Sequence, residues 1–298
     1  MSNVAAPIPI FDRRFVTDDN VFRSVFGTLS DKEWFEVLVQ SLSDSEIAGV
    51  EFPSFPDEQL QTQIHGHSGR HSISEALIFY TFVKERTYPK IEEISTSYFL
   101  DFAAGWGRIS RLFLRDFNLK RMFAYEPNLA FCSIGRACNP FINYLCGDYL
   151  PDGMLPAGTF NLAVGWSIFS HLSEFAATAW LEEMGRIMAP GGQCVFTTWG
   201  LRFLERLRRE AEEAAQGKPI NWYSKICIDS AGSLDDQIKR YGSGEFVWFT
   251  QSTAKLYGEA FVGPRALSHL IEKNALPFDV VVFDAESLAQ DAFVLKRR

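Results

Sequence analysis

The sequence predicts an α/β fold: a doubly wound, mostly parallel sheet of seven strands with a terminal antiparallel hairpin. Short apolar segments alternate with amphipathic ones from about residue 97 to residue 200. In segment 98–108 an apolar run is followed by an aspartate and two glycines, as at a strand–loop–helix junction. The last two apolar segments, 278–284 and 291–296, are too close for a parallel crossover and predict the hairpin.

Residues 1–90 are predicted to form an α-helical extension that packs on the sheet domain of residues 91–298. Ser30 followed by Glu33 matches a capping box and indicates where the second helix begins. The expected segments are an extended arm at 1–16, a helix at about 18–27, a helix from Ser30, a loop at 43–72 and a helix at 73–85.

The sheet domain is predicted as alternating strands and helices. Ser173 is the expected N-cap of its third helix, and the glycines at 191 and 192 are the expected stop. The expected strands are 97–102, 121–126, 141–145, 160–166 and 192–198, followed by the closing hairpin. The expected helices are 108–117, 128–137, 174–188, 201–215 and about 264–273. Residues 216–262, rich in glycine and aromatic residues, break the alternation and predict a lid insertion over the site.

Charge and composition narrow the classes of partner. The formal net charge is −8 and no long basic run is present, so a nucleic-acid partner is not expected. No window approaches the roughly 20 apolar residues of a membrane span, and no signal peptide is expected at the N-terminus. The five cysteines show no metal-binding spacing, so we expect free, buried thiols and a cytoplasmic location.

The loop after the first sheet strand is the strongest indication of a ligand site. Gly105 and Gly107 allow the backbone to approach a nucleotide-like ligand, and the N–H groups of a following helix point at it. Asp101 ends the strand. Ala103 is expected to have a negative φ, because only glycine adopts a positive φ readily. An ordinary strand–helix turn is the simpler interpretation of this segment alone.

Two later strand ends also carry acidic residues. Glu126, followed by Pro127, lies about 20 residues after the glycine loop, where a carboxylate can accept hydrogen bonds from ribose hydroxyls. Asp148 and Tyr149 follow the third strand, in a sequence that is also common in turns. The order and spacing of these signals together favour a ligand site at one edge of the sheet.

These motifs and the closing hairpin resemble the class I S-adenosylmethionine-dependent methyltransferase family, strongly over 97–200 and more loosely over 260–296. The resemblance implies an enzyme whose cofactor is S-adenosylmethionine, with the glycine loop under its methionine and ribose and an acid near its adenine. The implied cofactor-binding residues are Asp101, Ala103, Gly105, Gly107, Glu126, Pro127, Asp148, Tyr149 and Trp166. Two residues depart from the family pattern: Ala103 replaces a glycine, and Asn161 replaces an aspartate.

For such an enzyme, methyl transfer is an in-line displacement, and an oxygen acceptor must also lose its proton. His171, after the fourth strand, is the candidate general base, and a packing role explains it equally well. Trp222, Tyr223 and Tyr257 are candidates for the acceptor pocket or for plain packing of the lid. The expected acceptor is a small molecule or a sugar, with oxygen as the expected accepting atom.

Two alternative functions stay open at this point. An NAD(P)-dependent oxidoreductase would use Gly105 and Gly107 as its dinucleotide fingerprint, but Ser110 stands where the third glycine belongs. A catalytically silent binding protein of the same fold is compatible with the two departures from the family pattern. His65, His67 and His71 are not expected to bind a metal, because no acidic ligand lies near them in sequence.

Overall fold

The computed structural model describes residues 20–253 and 255–298, so the arm expected at 1–16 lies outside the described residues. The helical extension contains α1 (Val21–Phe26), α2 (Asp31–Gln40), β1 (Glu46–Ile47), β2 (Val50–Glu51), α3 (Glu58–His65) and α4 (Gly69–Thr87). The capping box at the start of α2 is present: Ser30 accepts from the backbone N–H of Glu33, whose side chain accepts from that of Ser30.

The loop expected at 43–72 is wrong, because this stretch contains the β1–β2 hairpin and all of α3. Asp57 caps α3 by accepting from the backbone N–H of Leu60 at 2.8 Å. Gly66 ends α3 in the left-handed conformation, with φ of 80°. The polar residues and glycines of this stretch thus mark the two ends of a short helix.

The rest of the chain builds the sheet and the segments around it. Next come β3 (Phe99–Phe102), β4 (Met122–Glu126), α5 (Leu129–Cys138), β5 (Asn143–Cys146), β6 (Phe160–Gly165), α6 (Glu174–Ile187) and β7 (Met188–Thr198). The remaining elements are α7 (Leu201–Ala215), α8 (Trp222–Ala231), α9 (Leu234–Ser243), β8 (Val247–Phe249), β9 (Glu259–Phe261), α10 (Pro264–Lys273), β10 (Phe278–Asp284) and β11 (Asp291–Arg297). β7 begins earlier than expected and includes the glycines predicted as a helix stop.

The seven-stranded sheet has the order β10-β11-β7-β6-β3-β4-β5. Within this order, each adjacent pair of strands from β7 through β6, β3 and β4 to β5 is parallel, and β11 is antiparallel to both of its neighbours. The predicted fold class is therefore confirmed. The chain runs outward from β3 through β4 and β5, then returns to β6 on the other side of β3. Such a switch point leaves a crevice at the carboxyl ends of the strands.

The helix expected at 108–117 is wrong: this segment forms only a short 3-10 helix, Ser110–Phe113, flanked by turns. The backbone N–H of Ser110 donates to the Asp101 carboxylate at 2.9 Å. The carbonyl of Trp106, its partner in a regular helix, accepts instead from the Asn139 amide at 2.7 Å. Side chains thus take over bonds that a regular α-helix would form within the backbone.

The extension and the sheet share one apolar core. The Trp34 indole donates to the carbonyl of Leu112 at 2.9 Å, and the buried Arg115 guanidinium donates to the carbonyl of Leu29 at 2.6 Å. Phe22, Trp34 and Phe79 of the extension belong to the same buried cluster as Phe99 and Phe113. Burying each such side chain contributes about 1.5–3 kcal/mol, so the extension is integral to the fold.

Cysteine pairing differs from the expectation of free thiols. Cys132 in α5 and Cys146 at the end of β5 form a disulfide, because the fold brings their Cα atoms to 5.8 Å. Cys138, Cys194 and Cys227 are free and buried, as expected. No helix in the described ranges has the length and apolarity that crossing a membrane requires.

Candidate functional site

A cavity of about 750 Å³ lies where β3, β4 and β6 end, at the switch point of the sheet. The predicted cofactor residues that line it are Asp101, Ala103, Gly105, Glu126, Pro127, Tyr149 and Trp166. Gly107 and Asp148 are not part of its lining. The volume falls within the range of small-molecule sites.

The glycine loop turns sharply at two lining residues. Ala103 has φ of 54°, so the expectation of a negative φ is wrong, and Gly105 has φ of 56°. Between them, the backbone N–H of Ala104 donates to the carbonyl of Tyr125 at 3.1 Å. The chain therefore turns at Ala103 while its next residue stays bonded to β4. A left-handed alanine costs roughly 1–2 kcal/mol relative to its ordinary conformation.

Gly107 and Asp101 stabilise the loop from behind. Gly107 has φ of 85°, and a Cβ there would meet the Asn139 side-chain nitrogen at 2.6 Å. Asp101 accepts from both the backbone N–H and the hydroxyl of Ser110, and burial raises the pKa of its carboxyl group to about 7. The close approach of Asn139 thus explains why a glycine occupies position 107, and the hydrogen bonds of Asp101 anchor the loop.

Glu126 connects the glycine loop to the turn that follows β4. Its two carboxylate oxygens accept from the backbone N–H groups of Gly105 at 2.8 Å and Asn128 at 2.7 Å. Each oxygen has two lone pairs, so each can accept one more hydrogen bond from a ligand. Burial raises the pKa of Glu126, while these two N–H donors act against that shift.

The residues after β5 are divided between the cavity and the solvent. Tyr149 lines the cavity, whereas Asp148 is exposed and its carboxylate accepts from the backbone N–H of Tyr149 at 2.7 Å. The Asp148 carbonyl accepts from the Tyr125 hydroxyl at 2.8 Å. In this conformation the Asp148 carboxylate stabilises the turn. A turn role was the simpler of the two interpretations of this residue from the sequence.

His171 lies on the cavity wall after β6, and three consecutive residues of the 216–262 segment surround its imidazole. The Tyr257 ring stacks on it at 4.8 Å and 11°, and the Gly258 carbonyl lies 2.9 Å from Nδ1. A carbonyl only accepts, so Nδ1 carries the hydrogen and Nε2 is left as an acceptor. Burial lowers the pKa of His171 to about 4, and the side chain is therefore neutral at neutral pH.

Glu259 is the third of these residues. Its Oε2 lies 3.6 Å from His171 Nδ1 and accepts from the Trp199 indole at 2.9 Å and the Tyr223 hydroxyl at 2.7 Å. Burial raises the pKa of Glu259 to about 7. An acid with this pKa changes its charge beside the imidazole in the neutral pH range.

Only one of the three aromatic residues expected in the acceptor pocket lines the cavity. Trp222 is 72% exposed and stands outside the lining, and Tyr223 packs on Phe203 and binds Glu259. Tyr257 lines the cavity. The described part of 216–262 otherwise packs largely with α7 in a separate apolar cluster. Trp222 and Ile226, one helical turn apart, are both exposed on α8.

The extension adds lining residues that the motifs did not indicate. Ile64, His65 and Glu75 line the cavity beside Arg108, which is 3% exposed. The Arg108 guanidinium donates to Glu75 at 3.1 Å, and its Nε has no hydrogen-bond partner within the described chain. Arg108 directly follows the glycine loop, and this position in the sequence could have indicated that it lines the cavity. No motif pointed to Glu75.

The three histidines of the extension take structural partners. His65 accepts from the Trp106 indole at 2.9 Å, and burial, followed by the charge of Arg108, lowers its pKa to about 3. His67 and His71 stack at 4.0 Å. Over residues 20–253 and 255–298, no group of three or more His, Cys, Asp or Glu side chains could hold a metal ion.

Comparisons with known proteins point to one family. A family model described as a methyltransferase domain matches residues 80–243. An S-adenosylmethionine-dependent methyltransferase from Clostridium acetobutylicum is similar, with a TM-score of 0.50, 9% identity, and coverage of 80% of this chain and 96% of that one. A putative S-adenosylmethionine-dependent methyltransferase from Listeria monocytogenes has a TM-score of 0.50, 10% identity, and coverage of 74% and 99%. No curated protein matches.

Proposed function

The protein belongs to the methyltransferase-domain family as a class I, S-adenosylmethionine-dependent enzyme, and on this premise we propose that it methylates a hydroxyl oxygen of a small molecule or a sugar. The observation that carries the proposal is His171 on the cavity wall, with Nδ1 bonded to the Gly258 carbonyl and Nε2 left to accept a proton. The oxidoreductase alternative has no support from the family match.

The cavity has suitable groups for each part of the cofactor. Glu126 retains two acceptor positions for ribose hydroxyls, and the space beside Gly105 is open, with no atom within 4 Å of a Cβ built there. Arg108 lines the cavity, and its largely buried guanidinium has the charge that suits the cofactor's carboxylate. S-adenosylmethionine, when bound, supplies a methyl group activated by a positively charged sulfur.

The chain's own contribution is to position the acceptor, exclude water and receive its proton. Neutral His171 takes the hydroxyl proton at Nε2, while the Gly258 carbonyl holds the ring by Nδ1. The resulting imidazolium lies beside Glu259, which stabilises it once the carboxyl group is ionised. Tyr257 covers one face of the ring and shields it from solvent.

Binding and transfer measurements test the proposal separately. Calorimetry should detect S-adenosylhomocysteine binding and no NAD binding, and the reverse result would contradict the cofactor assignment. Methyl-labelled cofactor, incubated with a set of hydroxylated small molecules and sugars, should give a labelled ether. Labelling of nitrogen would contradict the oxygen assignment, and binding without any transfer would favour the silent alternative.

The His171→Gln variant tests the base. S-adenosylhomocysteine affinity should be retained while kcat falls about 10²–10⁴-fold, the usual range for loss of general-base catalysis. Glu182→Ala, an exposed substitution on α6 away from the cavity, is the control. An unchanged kcat and pH profile in His171→Gln would show that His171 is a packing residue.

A further inference from the structure

The cavity wall around His171 differs in charge from the wall around the glycine loop. The charged lining residues are all linked to the glycine loop: Asp101 and Arg108 flank it, Glu126 accepts from the backbone N–H of Gly105, and Glu75 accepts from Arg108. We use the term acceptor wall for Ile168, His171, Leu172, Trp199, Tyr257 and Gln290. None of these six residues is an Asp, Glu, Lys or Arg, and Glu259, which lies 3.6 Å from His171 Nδ1, is not part of the lining.

Most polar atoms of the acceptor wall are already bonded within the protein. The Gln290 amide donates to the Ser167 hydroxyl at 2.7 Å and accepts from the Thr197 hydroxyl at 2.6 Å. The Trp199 indole N–H donates to Glu259. Within the described chain, His171 Nε2 and the Tyr257 hydroxyl are left as the main hydrogen-bonding atoms for an acceptor.

The same wall offers aromatic surface. Tyr257 is stacked on His171 yet 55% exposed, and the Trp199 ring lies 6.5 Å from the imidazole. Tyr149, half-exposed, also lines the cavity. Flat aromatic ligands gain both apolar burial and ring stacking on such surfaces.

We infer that the acceptor is a neutral, planar aromatic compound with a hydroxyl group, an inference that rests on the proposed function. The buried hydroxyls of a sugar would lack partners on this wall, which is unfavourable. A carboxylate or phosphate would lack a cation. A compound with a single aromatic hydroxyl matches the wall. In the transfer, the O–CH₃ bond forms as the S–CH₃ bond breaks, the electron pair of the broken bond neutralises the sulfonium, and the hydroxyl proton passes to His171 Nε2.

Three matched probes test the acceptor class on the full chain saturated with S-adenosylhomocysteine. They are 2-naphthol, its anionic relative 6-hydroxy-2-naphthoate and methyl β-glucoside, with binding measured by saturation-transfer NMR and calorimetry. The naphthol should bind at least about tenfold more tightly than either of the others. Equal or tighter binding of the glucoside or the naphthoate, or no binding of the naphthol, would overturn the inference.

Variants test whether the acceptor wall is responsible. Tyr257→Ala should weaken naphthol binding about tenfold, whereas Phe175→Ala, which removes an exposed aromatic ring outside the lining, should not. If Tyr257→Ala also loses S-adenosylhomocysteine, Tyr257→Leu, which keeps apolar volume without the ring, replaces it. An unchanged naphthol affinity in the Tyr257 variant overturns the inference. Failure of the wild type to bind S-adenosylhomocysteine would contradict the proposed function instead.

Discussion

Replacing Glu126 by alanine should weaken S-adenosylhomocysteine binding by about 1–3 kcal/mol, or roughly 5–150-fold in Kd. The magnitude follows from the carboxylate's remaining capacity: each oxygen already accepts one backbone N–H and can accept one ribose hydroxyl. Bonds to an ionised carboxylate are stronger than neutral ones, and the buried position limits competition from water.

The substitution also removes the acceptors of the Gly105 and Asn128 N–H groups, so a loss of affinity alone does not identify a ribose contact. A thermodynamic cycle separates the two effects. Wild type and Glu126→Ala are each titrated calorimetrically with S-adenosylhomocysteine and with its 2′-deoxy analogue. Removing the ribose hydroxyl should cost the wild type about 1 kcal/mol and cost the variant almost nothing.

A coupling energy near zero would refute the ribose assignment, whatever the loss in absolute affinity. Glu182→Ala removes an exposed carboxylate and should leave both affinities unchanged, which controls for net charge.

The wild type should also lose affinity for S-adenosylhomocysteine as the pH falls through the raised pKa of Glu126. That loss should begin at a higher pH than for an ordinary glutamate, because protonation removes acceptor capacity and charge.

Two further variants address the loop and the base. Ala103→Gly should raise the free energy of unfolding by about 0.5–1 kcal/mol in denaturant titrations. The strain of a left-handed alanine that the change removes exceeds the entropy cost that glycine adds. Ala104→Gly, outside the positive-φ positions, should instead lower it, and equal effects of the two variants would contradict the strain argument. In the wild type the rate should rise through pH 7, because only an ionised Glu259 stabilises the His171 imidazolium. Glu259→Gln should abolish this rise, lower kcat about tenfold at pH 8 and leave KM unchanged. A rise of unchanged size in the variant would assign it to another group.

The sheet could be predicted from the sequence because its signals are local. Apolar runs mark each strand, and the short connection between 278–284 and 291–296 permits only an antiparallel pair. Ser30 and Ser173 fixed two helix starts through bonds to residues three positions away. Each of these features depends on neighbours in the chain.

The site was predictable only in part because its missing contributions are long-range. Glu75 reaches the cavity because α4 packs beside the glycine loop, and no local pattern encodes that contact. The positive φ of Ala103 depends on the bond between its neighbour and β4. Trp222 illustrates the opposite error: an aromatic residue in a lid suggested a pocket wall, yet it is exposed.

The arrangement of Tyr257, Gly258 and Glu259 around one imidazole has a consequence for how this enzyme could diversify. Under the proposed function, Tyr257 supplies the flat surface for the acceptor, and Gly258 and Glu259 provide the electrostatic surroundings of the base. An exchange of this segment between relatives should therefore change acceptor preference and pH optimum together. On the proposed function, acceptor selectivity and the proton affinity of the base are linked, so variants selected for a new acceptor should be screened across pH.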